Sequence, residues 1–98
     1  MFKNHTEAKS GPDRWLHLIS GSAVSRWTSQ DGMHRVYLVS RNDGRFSSYS
    51  EYFSDHEFEH CWIEEHAAGS FYDSEETAVK EIYGVFPWSK DVKREDHP

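Results

Sequence analysis

The sequence predicts an α+β domain, an antiparallel meander of three or four strands with one C-terminal helix packed over a single face. Three observations predict it. Residues 35–40 and 45–53 are β-branched and aromatic runs separated by Asn42-Asp43-Gly44, which is hairpin chemistry. Residues 61–66 supply a third extended run, and the hairpin needs such a neighbour because a lone two-stranded ribbon is marginal in water. Near the end, Ala78, Val79, Ile82 and Tyr83 recur at helical spacing behind the acidic pair Glu75 and Glu76.

Taken in order, residues 1–13 are polar, close on Gly11-Pro12 and show no period, so they read as a flexible arm before a single domain over 14–88. An apolar run at 15–19 is broken by Ser20-Gly21-Ser22 and resumes at 23–27, which suggests a short strand or a turn and strand. Ser29-Gln30-Asp31-Gly32 marks a turn, and Asn42-Asp43-Gly44 is expected to supply the positive-φ residues of a mirror-image turn. Ser47, Ser48 and Ser50 then read as the exposed side of the returning strand. Between 54 and 69 two readings compete. Ser54 with Glu57 resembles a capping box and Gly69 a helix stop, but a loop followed by a strand gives the hairpin its partner and is preferred. Asp73 is expected to cap the helix over 75–83, Gly84 to stop it and Pro87 to prevent its resumption, leaving 89–98 as a charged, frayed tail. Trp15, Trp27, Tyr37, Phe46, Trp62, Phe71, Ile82 and Phe86 are the expected core.

Charge narrows the function classes. The 98 residues carry 17 acidic and 11 basic side chains, a net −6, but the balance is regional. Residues 1–50 hold seven basic and four acidic side chains, whereas 51–98 hold four and thirteen. From Glu51 to Glu76 there are nine carboxylates and no Lys or Arg, so that half is not expected to bind nucleic acid directly or an anionic membrane. No apolar run approaches a membrane span, and the opening residues lack the apolar core of a secretory signal, so a cytoplasmic protein is expected. The single cysteine, Cys61, excludes an intramolecular disulfide and Cys-rich zinc sites, and reads as a buried structural thiol.

The sharpest motif is His56-Glu57-Phe58-Glu59-His60, which fits H-E-x-x-H, with His66 six residues beyond His60. Over these eleven residues the string resembles the metzincin zinc peptidases, which implies a metal held by His56, His60 and His66 with Glu57 as general base. Two departures weigh against that chemistry. Ile63 stands where the pattern has the Gly that turns the last His toward the metal, and no methionine follows for the Met-turn. The preferred reading is a set of solvated histidines among acids, with no catalytic residue and no cofactor; the zinc hydrolase is carried as an alternative.

The segment Asn42-Asp43-Gly44-Arg45-Phe46, then Trp62, then Gly69-Ser70-Phe71-Tyr72-Asp73-Ser74 with its following helix resembles a pattern in small uncharacterised bacterial and phage proteins. More coarsely, an acidic meander plus helix is similar to phage anti-CRISPR and toxin-immunity proteins. That resemblance implies a non-enzymatic inhibitor occluding a basic protein partner, one whose own site could be for nucleic acid. Glu51, Asp55, Glu57, Glu59, Glu64 and Glu65 would supply the field, with Tyr49, Tyr52 and Phe58 as anchors. A homodimeric structural or regulatory protein joined through a sheet edge is the other alternative.

Overall fold

The computed structural model describes residues 15–55, 60–66 and 70–98, with Glu65 and His66 described by their backbone alone. Among the described residues, six strands form one antiparallel sheet. β1 (His17–Leu18), β2 (Gly21–Thr28), β3 (His34–Arg41), β4 (Phe46–Ser54) and β5 (Cys61–His66) lie side by side in chain order. Helix α1 (Glu75–Val85) and a 3-10 turn (Pro87–Asp91) follow, and β6 (Glu95–Asp96) returns to pair with β2. The α+β class and the meander hold. The strand count exceeds the expected three or four because β1 and β6 are two residues each, too short for an alternating pattern to mark them.

The β3–β4 hairpin runs in register from His34 opposite Tyr52 to Ser40 opposite Phe46. Its turn differs from the expected mirror-image form. Only Gly44 has a positive φ, +86°, and the Arg41 N–H donates to the Arg45 carbonyl at 2.8 Å. That is a three-residue loop closed by a left-handed glycine, and Asp43 secures it by accepting from the Arg45 N–H and the Arg41 guanidinium.

Alternation along β3 builds two cores on one sheet. Val36 and Leu38 join Trp27, Ala78 and Ile82 beneath α1, whereas Tyr37 and Val39 join Ala23 on the opposite face, with Trp15, Leu16, Leu18 and Tyr49 packed around them. The helical stripe lies as expected: Ala78 and Ile82 are buried, with Val79 and Tyr83 packed against the same cluster. Its cap is one residue later than expected. Ser74, in extended conformation, accepts from the Thr77 N–H, so Asp73 stands outside the helix, and Gly84 lies within the last turn instead of ending it.

Three further expectations are corrected. Ser47 and Ser50 are buried, because the helix lies over β3 and β4 and the second core covers the other face, so neither face of β4 is left to solvent there. Phe71 is 48% exposed, outside both cores, with the Arg41 guanidinium stacked 3.8 Å over its ring. Residues 89–98 are docked as well as charged: Ser89 is fully buried, and β6 is held on β2 by the Arg26–Glu95 ion pair at 2.8 Å and a Ser25–Asp96 hydrogen bond at 2.6 Å.

Candidate functional site

The described residues singled out for binding, Tyr49, Glu51, Tyr52, Asp55 and Glu64, lie on β4, just past its end, and on β5, so the geometry of that strand pair decides what they can do. β4 pairs with β5 through Phe53 opposite Trp62, Tyr52 opposite Ile63 and Glu51 opposite Glu64. Two glutamates directly opposite would repel, and the sheet neutralises one of them. Arg35 lies across from Glu51 on β3 and donates from Nε and Nη2 to Glu51 Oε1 at 3.1 and 2.8 Å, with both side chains about nine-tenths buried. The Tyr37 hydroxyl donates to the same oxygen at 3.3 Å, and the Trp62 indole lies 3.7 Å from the guanidinium carbon. Burial, with a smaller push from the Glu51 charge, drives the Tyr37 phenol up to about 12.

Glu51 is therefore an interior charge, paired before any partner arrives, and it lends nothing to an outward field. This corrects its expected role. Asp55 and Glu64 are exposed on the hairpin. Tyr52 is half-buried, as is Tyr49, whose ring lies 6.5 Å from that of Tyr37 and whose phenol is raised by burial and then by Glu64 and Glu51. His56, Glu57, Phe58 and Glu59 lie outside the described residues, as do the side chains of Glu65 and His66.

The acidic stretch is also divided in space. Asp73 stands 3.9 Å from Arg45 beside the β3–β4 turn, and the neighbouring Tyr72 exchanges backbone hydrogen bonds with Phe46 at the start of β4. Asp55 lies just past the far end of that strand, nine residues from Phe46, roughly 30 Å away along an extended chain. Glu75 is taken up by Arg94 at 2.7 Å. What remains as one acidic element is the β4–β5 hairpin itself.

Metal chemistry finds no described scaffold. Among the described residues no group of three or more His, Cys, Asp or Glu side chains is placed to hold an ion. His60 is described, exposed, with its ring 6.5 Å from Phe53, and Cys61 beside it is exposed instead of buried. The chain from Cys61 to His66 is an extended strand, not the end of a helix and the turn with which the extended H-E-x-x-H pattern continues past its second His.

Sequence reasoning missed the Arg35–Glu51–Trp62 stack. Its signal was present: a hairpin turning at 42–44 places residue 35 opposite residue 51, and opposite charges at directly paired positions attract. Among the described residues, no helix is long and apolar enough to cross a membrane. Comparison with protein-family models, with curated proteins and with solved structures finds no match for this chain.

Proposed function

We propose that this is a non-enzymatic binding protein whose β4–β5 hairpin occludes a basic surface on a protein partner. One observation carries the reading: the hairpin's interior carboxylate, Glu51, is neutralised by Arg35, while Asp55 and Glu64 stay exposed on a stretch that contains no Lys or Arg. In sequence this arm carries carboxylates and no Lys or Arg, Glu57, Glu59 and Glu65 among them. Such a field speeds encounter with a cationic surface and rejects anionic ones, and Tyr49, Tyr52 and Phe58 are the rings available as anchors.

The test separates field from fold. Reversal of Asp55, Glu59 and Glu64 to Lys abolishes capture of the partner copurifying from the native host, with the thermal midpoint within a few degrees of wild type. Glu51→Gln does the opposite, lowering the midpoint and leaving capture intact at temperatures where the variant is folded. Capture that survives the triple reversal overturns the proposal.

A further inference from the structure

The two outer edges of the sheet are finished differently. On the β2 side, β1 pairs with Gly21 and Ser22 and β6 pairs with Ser25 and Arg26, so the chain itself covers that edge in two pieces. On the other side β5 is last in the strand order, and among the described residues it pairs with β4 alone. A free edge presents a row of backbone N–H and C=O groups that a second extended chain can take up. Proteins commonly blunt such an edge with a very short strand, a proline or a lysine. β5 is six residues long, Cys61-Trp62-Ile63-Glu64-Glu65-His66, and has none of these. What it does carry is negative charge, which repels one class of strand and admits another.

The side chains say which class. Glu64 stands opposite Glu51 on β4, and Glu51 is already held by Arg35. Glu64 is exposed and, among the described residues, makes no ion pair, so a cation for it has to come from another chain. Trp62 and Glu64 lie on one face of β5 and Ile63 on the other, because successive side chains alternate. Trp62 and Ile63 are both half-buried, which leaves part of each open to a neighbour. A second copy of this chain fits the edge badly. Antiparallel pairing of β5 with itself sets Glu64 diagonal to the Glu65 position of the other copy on the same face, and parallel in-register pairing sets glutamates directly opposite, both repulsive.

We propose that the outer edge of β5 receives an extended segment of a protein partner as an added strand, one in which basic and apolar residues alternate. This rests on the reading that the acidic arm takes a basic partner, and it names how that partner is held. The backbone ladder supplies most of the attraction, a Lys or Arg of the incoming strand lies beside Glu64 on one face, and an apolar residue lies beside Ile63 on the other.

The probe is a fluorescent, end-capped hexapeptide of alternating Lys and Val, read by anisotropy against the full-length chain. The same peptide methylated at every backbone nitrogen keeps its charge but loses its donors, and it is expected to bind at least about tenfold more weakly. A Glu-Val peptide does not bind. Glu64→Gln, at an exposed position, weakens the Lys-Val peptide without altering the near-ultraviolet circular dichroism. In hydrogen exchange, the amides of Trp62, Ile63 and Glu64 that point away from β4 exchange freely in the protein alone and slow about tenfold or more in the complex. Equal binding of the methylated and unmethylated peptides overturns the added strand and leaves the charge reading standing, since that reading falls only if partner capture survives the triple reversal described above. No binding at millimolar peptide, or slow exchange of those amides in the protein alone, also overturns it. Dimerisation in light scattering that the peptide does not dissociate does the same, assigning the edge to a second copy.

Discussion

Arg35 and Glu51 face each other across the β3–β4 ladder, and their side chains form a buried ion pair beneath the indole of Trp62. Two strands contribute the charges and a third contributes the lid, so the pair fixes β5 against the central hairpin. Removing one partner leaves the other buried and uncompensated. Glu51→Gln and Arg35→Met are each expected to cost about 3–5 kcal/mol in urea unfolding, whereas the double variant Arg35→Met with Glu51→Leu recovers most or all of that loss. A double variant as unstable as the sum of the singles would show that the pair is not coupled.

Gly21 and Gly44 are both required, for different reasons, and the difference is measurable. A Cβ on Gly21 would run into the Ser40 carbonyl oxygen and stand 2.7 Å from the Arg41 Cα, so alanine there forces β2 away from β3 and costs about 1–3 kcal/mol. A Cβ on Gly44 meets nothing within 4 Å, but φ of +86° disfavours any L side chain, at about 1–2 kcal/mol. Asparagine, which tolerates the left-handed region, recovers part of the loss at 44 and none at 21.

The helix start gives a second paired test. Ser74→Ala removes the acceptor for the Thr77 N–H and is expected to lower stability by about 1 kcal/mol. Asp73→Ala, at a side chain 97% exposed and 3.9 Å from Arg45, changes it by less than about 0.5 kcal/mol in the same thermal melts. The reverse ranking would return the cap to Asp73.

Tyr37 is expected to hold its proton well above the ordinary phenol range. Burial raises its phenol from 10.0 to about 12, so the folded state holds this proton where the unfolded chain has lost it. Its contribution to stability is complete below pH 10 and is lost as the pH rises toward 12. In a spectrophotometric titration at alkaline pH, Tyr37→Phe is expected to remove a component that ionises at about 12.

The β6 segment carries the opposite pH sign. The hydrogen bond from Ser25, then that from Arg94, holds the Asp96 carboxyl below its ordinary 3.8, so its contribution is complete above that value and is lost as the pH falls through the lowered one. Acid titration followed by the His97 amide resonance is expected to show the segment releasing below about pH 4, ahead of global unfolding. Asp96→Asn flattens that early step, and a step unchanged in the Asn variant would assign it to another group.

The hairpin, the third long strand and the helical stripe were legible in the sequence because each is a local pattern. Residues 35–40 and 45–53 are β-branched and aromatic runs on either side of a turn, and Ala78, Val79, Ile82 and Tyr83 recur at 3.6-residue spacing. The regional excess of acid over base was legible for the same reason. Three things depended on contacts distant in sequence. Ser25 and Arg26 had to meet Asp96 and Glu95, some seventy residues away, before 94–97 became a strand instead of a tail. Tyr72 had to bridge to Phe46 before Asp73 was seen to sit beside Arg45 and away from Asp55. Above all, the sequence by itself determined that Glu51 belongs to an acidic stretch, and only the sheet decided that it points inward to Arg35. Charge along a chain is a property of composition, whereas the field a protein presents depends on which charges the fold has already paired and buried.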